Sequence, residues 1–136
     1  MRIVTLVLLG VMALEHAYFL YLEMFRWTHP RTLKAFNTTL AVAESSKKLA
    51  MNQGLYNGFL AAGLIWAILA PPPLQRPVAI FFAACVLVAG VFGGATVSPR
   101  ITVIQALPAA LCLISIFAFG IQPGTARFGG IAGWSP

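Results

Sequence analysis

Polar positions are so sparse along this chain that four apolar stretches, at about residues 3–25, 51–70, 78–97 and 101–121, are marked off by the few residues interrupting them. At roughly 1.5 Å of rise per residue, each is long enough for a helix across a hydrocarbon core of ~30 Å. Arg2 and Arg26 bound the first stretch, and Pro30 follows it. Pro71, Pro72 and Pro73 stop the second, because proline cannot continue the backbone ladder. Ser98-Pro99-Arg100 is a very short connection, so the third and fourth helices are expected to be antiparallel neighbours, with Pro123 beyond the fourth. Residues 1–123 therefore read as a four-helix transmembrane bundle. Residues 124–136 form a Gly-rich tail of irregular structure, in which Trp134 is a candidate interface anchor.

Residues 27–50 are the polar exception. Leu33, Phe36, Leu40 and Ala43 recur at three- and four-residue spacing, which gathers them on one helical face. Arg31, Lys34, Lys47 and Lys48 can then point to water or lipid headgroups. The pattern predicts an interfacial amphipathic segment between the first and second helices, with Thr38 or Thr39 capping the helix that follows. Asn37-Thr38-Thr39 also matches a glycosylation acceptor, but an ordinary polar turn accounts for it. Met1 and Arg2 ahead of a short apolar run resemble the start of a secretion signal. The apolar pattern continues to Phe25, however, so an uncleaved full span is expected.

Composition agrees with the pattern. The chain of 136 residues is 60% apolar and 9% charged, with a mean hydropathy of +0.87, which is the balance of an all-α, polytopic membrane protein. Cys85 and Cys112 are isolated in apolar runs and read as small core residues, which argues against a quinone-linked thiol oxidoreductase. The net charge of +6 bears on topology and lipid contact. Nucleic acid is not an expected partner, since no basic groove with interleaved aromatic residues is present. Arg26, Arg31, Lys34, Lys47, Lys48 and Arg100 lie on one side of the predicted bundle, and Arg2, Arg76 and Arg127 on the other. The richer side is expected to be cytoplasmic, with both termini on the outer, periplasmic side of a bacterial inner membrane.

Candidate chemistry is concentrated in residues 13–24, ALEHAYFLYLEM. Glu15 and His16 fall near the middle of the first span, where a carboxylate costs at least about 2.5 kcal/mol and is kept mainly where it pairs, lines a wet cavity or acts. A purely structural acid there would cost more than a glutamine making the same bonds. At 100° per residue, Glu15, His16, Phe19 and Glu23 share an arc of about 100°. Asn52, Gln53, Tyr56 and Asn57 share about 140° on the second helix, at the depth of Glu23 and just beyond it. Thr96, Ser98, Arg100, Thr102 and Gln105 meet them on the same side, which predicts a polar pocket open to the cytoplasmic leaflet with Glu15 and His16 at its floor. Each residue also has a plainer reading: His16 as a bonded core imidazole, Glu23 as the partner of Arg26, and the amides as interhelical bonds of about 0.6 kcal/mol each. Gly54 with Gly58, and Gly90 with Gly94, read as packing positions. A metal site is not expected, because His29 lies in the loop and no second helical His joins His16.

The segments LEHAYFLYLEMF, NQGLYNGFLAAGLIW, VAGVFGGATVSPR and IQALPA, in that order, resemble the domain-of-unknown-function family number 1304. The resemblance reaches to Pro123 and implies a small four-helix membrane protein with no established activity; the tail lies outside it.

Three classes of function remain open. Glu15, His16 and Glu23 can serve acid/base chemistry on a lipophilic small molecule, isomerase- or cyclase-like, with Asn52, Gln53, Tyr56, Asn57, Thr96, Arg100 and Gln105 as binding residues. No cofactor is required, as no phosphate-binding glycine loop, nucleophile elbow or cysteine pair is present. The same carboxylates can instead drive a proton-coupled carrier, a class that works as dimers. An accessory subunit of a larger membrane complex needs none of this chemistry, only membrane lipids and a protein partner.

Overall fold

The computed structural model describes Met1 and residues 3–119. The expectations for Arg2, the end of the fourth span at 121, Pro123, Arg127, the tail and Trp134 lie outside the described residues. Five helices make up the fold: α1 (Ile3–Phe25), α2 (Pro30–Ala35), α3 (Leu40–Leu69), α4 (Pro72–Thr96) and α5 (Pro99–Ala118). Among the described residues there is no strand.

Their boundaries follow from local chemistry. His29 caps α2, its Nδ1 accepting from Arg31 N–H at 3.3 Å, and Pro30 fills the first helical position, where no donor is needed. Asn37, with φ at 50°, turns the chain left-handed and ends α2, in keeping with a polar turn. Thr39 then caps α3, accepting from Val42 N–H at 3.3 Å. The apolar span read from residue 51 is the later part of this helix, which runs unbroken from Leu40 behind the expected threonine cap, since 40–50 is rich in Ala, Leu and Lys and lacks Gly and Pro. α4 likewise starts at Pro72 instead of near 78: a proline run that stops one helix is tolerated in the first turn of the next, and only Pro77 falls inside. In α5 the five residues Thr102–Ala106 form a π turn, with Leu107 N–H bonded to the Thr102 carbonyl five residues back. Pro108 accounts for it, having no N–H to hold the ordinary ladder at that point.

Three helices, α1, α4 and α5, are long and apolar enough to cross a membrane. Every long helix carries exposed large apolar side chains, among them Leu14, Trp66, Phe81 and Phe117, as expected of a surface that meets lipid. α3 is 30 residues long, but its stretch 40–57 carries Glu44, Lys47, Lys48, Asn52, Gln53 and Asn57, which lowers its hydropathy.

The helices close on small residues. α1 packs most extensively on α3, where a Cβ on Gly54 would lie 2.7 Å from Met24 Cγ and one on Gly58 would lie 2.5 Å from Leu20 Cδ1. α4 meets α5 where a Cβ on Gly90 would lie 2.5 Å from the Ala106 nitrogen, and Gly94 faces Thr102. The apolar core, including Leu9, Met12, Leu64, Val86, Cys112 and Ile116, fills the half of the bundle where α1 begins and α3 ends. Cys112 is buried there, as its apolar run suggested, while Cys85 is half-buried. Ser115 Oγ donates to the Cys112 carbonyl at 2.8 Å, so the 2.9 Å bond between Thr5 and Ser115 has Thr5 as donor and ties α1 to α5. At the same end Arg76 lies over the Phe117 ring, 5.8 Å from its centroid.

Candidate functional site

α1 presents its polar residues on the stripe that packs against its neighbours: Thr5, Leu9, Met12, His16 and Glu23 are all buried. His16 is 1% exposed, and its Nδ1 lies 2.8 Å from the Met12 carbonyl oxygen. A carbonyl only accepts, so the proton of a neutral ring sits on Nδ1 and Nε2 is its acceptor. Glu15, one position before it, is half-buried, yet its Oε1 is fully buried and makes no hydrogen bond within the described residues. Such an oxygen costs about 1–3 kcal/mol when left without a donor. Val11, Leu14 and Tyr18 beside it are exposed, so Glu15 stands at the boundary between the packed stripe and the outer face of α1.

Glu23 has a different setting. Its Oε2 accepts from Asn57 Nδ2 at 2.7 Å, both side chains are 7% exposed, and Gly54 keeps α3 close enough for the bond. Arg26, the expected neighbour, is exposed and makes no ion pair with it.

Of the four candidate binding residues on α3, Asn57 alone turns inward; Asn52, Gln53 and Tyr56 are exposed. The reason is the row of small residues. Ala43, Ala50, Gly54 and Ala61 allow the closest approach and fix the buried face, and at 100° per residue Asn57 lies about 20° from that arc while the other three lie about 60° or more away. Thr96 is exposed and bonds the Phe92 carbonyl of its own helix at 2.7 Å, Arg100 and Thr102 are exposed, and Gln105 and Ser98 are half-buried. Met24 against Gly54 brings the end of α1 onto this part of α3, about 13 Å of helical rise from Glu15. Glu23 and Asn57 therefore lie nearer that end of α1 than Glu15 and His16 do. An apolar groove lined by Phe81, Ala84, Cys85, Val88, Ala89 and Phe92 runs along the outer face of α4, and none of the polar candidates lines it.

Aromatic rings connect the two levels. His16 and Phe19 meet edge to face with centroids 6.1 Å apart, Phe19 and Phe36 at 6.4 Å, and Phe36 and Trp27 at 5.0 Å. Trp27 Nε1 donates to Ser46 Oγ at 3.2 Å, which fastens the segment after α1 onto α3. Thr32, 1% exposed beneath α2, has an Oγ1 without a partner among the described residues. Sequence reasoning did not single out Thr32, Trp27 or Ser46. The signal was available for Thr32, four residues before Phe36 and so on the same face. No three His, Cys, Asp or Glu side chains gather as metal ligands among the described residues.

The model of a family described as "Protein of unknown function (DUF1304)" matches residues 10–117. The chain is 36% identical over 119 residues to "Uncharacterized protein YpaA" of Lactococcus lactis subsp. lactis (strain IL1403), covering 86% of this chain and 99% of that protein. No solved structure matches.

Proposed function

Since the chain belongs to the DUF1304 family of proteins of unknown function, we propose that it is an integral membrane protein performing acid/base chemistry on a lipophilic small molecule at Glu15 and His16. The observation that carries this reading is the buried Glu15 Oε1 without a hydrogen-bond partner, on a side chain bordering the outer face of α1. A molecule dissolved in the bilayer reaches it sideways, past Val11 and Leu14. Its polar head rests at the rim of Asn52, Gln53, Tyr56, Thr96, Arg100 and Gln105, and its body spans the roughly 13 Å to Glu15. Glu15 hands over a proton at one carbon, His16 Nε2 takes one from another, and that proton passes back from His16 to Glu15 before the next turnover, which is an isomerisation or cyclisation with no redox change. Glu23, held by Asn57, locks α1 to α3 and so positions both groups.

In this reading α3 is the fourth crossing, its C-terminal half 51–69 lying in the bilayer against α1 and α4, and its first turns standing with α2 at the cytoplasmic interface. Lys47→Cys should then react with a membrane-impermeant maleimide only in inside-out vesicles; reaction in right-side-out cells would reverse the orientation.

The functional test is mass spectrometry of small molecules retained by the purified protein. Wild type should retain a lipophilic pair of equal mass, substrate and product, and Glu15→Gln should retain a single member of it. One unchanged compound in both proteins, accumulated uphill by wild-type vesicles, would replace conversion with proton-coupled transport. Retention of nothing by either protein would leave an accessory subunit.

A further inference from the structure

We propose that the rim formed by the end of α1, by α2 and by the first turns of α3 is a binding surface for anionic phospholipid headgroups of the adjoining leaflet. Six of the seven described cations lie at this end of the molecule: Arg26, Arg31, Lys34, Lys47, Lys48 and Arg100, all exposed. Glu44 is the one exposed acid among the described residues there, because Glu23 is turned inward onto Asn57. At the opposite end the one described cation, Arg76, is half-buried and engaged with the Phe117 ring.

The cations stand on a fixed platform. Trp27 is bonded to Ser46 and packed on Phe36, Thr32 is buried beneath α2, and caps at His29 and Thr39 set the starts of α2 and α3. Arg31 and Lys34 consequently face outward from α2, and Lys47 and Lys48 from α3. The partner's chemistry follows from what stands between them. Leu40, Val42 and Leu49 are 55%, 54% and 75% exposed among the charges, and Phe25 is 68% exposed just below. A nucleic acid or an acidic peptide would leave these apolar side chains in water. A lipid leaflet takes both, with acyl chains against the leucines and valine, and phosphates against the ammonium and guanidinium groups.

The test uses the full-length chain with Trp66→Phe and Trp134→Phe, so that Trp27 alone reports, reconstituted into vesicles containing brominated phosphatidylglycerol or brominated phosphatidylcholine. Quenching of Trp27 should show at least roughly five-fold preference for the anionic lipid in low salt, the factor that even one cation at a charged leaflet contributes. Salt near 1 M, where the Debye length falls to about 3 Å, should bring that preference close to unity. The combined variant Arg26→Gln, Arg31→Gln, Lys34→Gln, Lys47→Gln, Lys48→Gln, Arg100→Gln should lose the preference while phosphatidylcholine still quenches Trp27 fully, which shows the chain still inserted. Equal quenching by the two lipids in the parent protein would overturn the proposal. So would a preference abolished by inorganic phosphate at constant ionic strength, since that describes a site for free phosphate.

Discussion

Gly90→Ala should lower the melting temperature of the purified protein by on the order of 10 °C, whereas Gly10→Ala should leave it unchanged or raise it slightly. Alanine in a helix interior is favoured over glycine by about 1 kcal/mol, so any loss at position 90 has first to overcome that gain. The new Cβ at 90 would stand 2.5 Å from the Ala106 nitrogen, 3.0 Å from its Cα and 2.9 Å from Gln105 Cβ. Two of those are backbone atoms, and they belong to the π turn, so no side-chain rotation relieves the overlap and the helices must separate. Overpacking of this kind costs about 1–3 kcal/mol and sometimes more, and each kilocalorie shifts the melting point of a small domain by roughly 4–8 °C. Gly10 is the control, since a Cβ there meets nothing within 4 Å. Equal melting temperatures for the two variants would contradict the close approach of α4 and α5.

Much of the architecture was legible because lipid leaves few options: apolar stretches without charges become helices, and α1 has the bounds its sequence suggests. Proline was the ambiguous signal. The run at 71–73 does end α3, but the same residues begin α4, and only the position of the first free N–H groups distinguishes a stop from a start. Pro108 lies inside the fourth apolar stretch, 101–121, and with Thr102–Ala106 already helical it displaces the ladder into a π turn.

The polar residues were legible as a set and less so as individuals. Depth followed from chain direction, so Glu23 and Asn57 could be placed at one level. Which of Asn52, Gln53, Tyr56 and Asn57 turns inward depends on the rotation of α3. That rotation is set by the small residues Ala50, Gly54 and Ala61, whose joint effect outweighs the cost of turning three polar groups outward, where solvent satisfies them. Glu23 illustrates the same competition. Arg26 is nearer in sequence, but Gly54 brings Asn57 within 2.7 Å in a buried seam, where a direct bond outweighs a screened surface pair.

If Glu15 is a proton-carrying acid reached from the lipid, a lipophilic carbodiimide should modify it in an all-or-none manner. The reagent partitions into the bilayer and adds to carboxyl groups that hold a proton, and the adduct rearranges to an N-acylurea that keeps the reagent's full mass. The chain has three carboxylate side chains, in three different settings. Glu44 is exposed at the rim and reports water-soluble carbodiimide. Glu23 is shielded by Asn57 and the Gly54 seam. Glu15 alone combines a buried, unpartnered oxygen with exposed apolar neighbours at mid-helix. Peptide mass spectrometry after treatment of membranes should therefore find dicyclohexylcarbodiimide on Glu15 and not on Glu44, with the modification absent from Glu15→Gln. Modification confined to Glu44 or Glu23, with Glu15 intact at complete reagent excess, would contradict it.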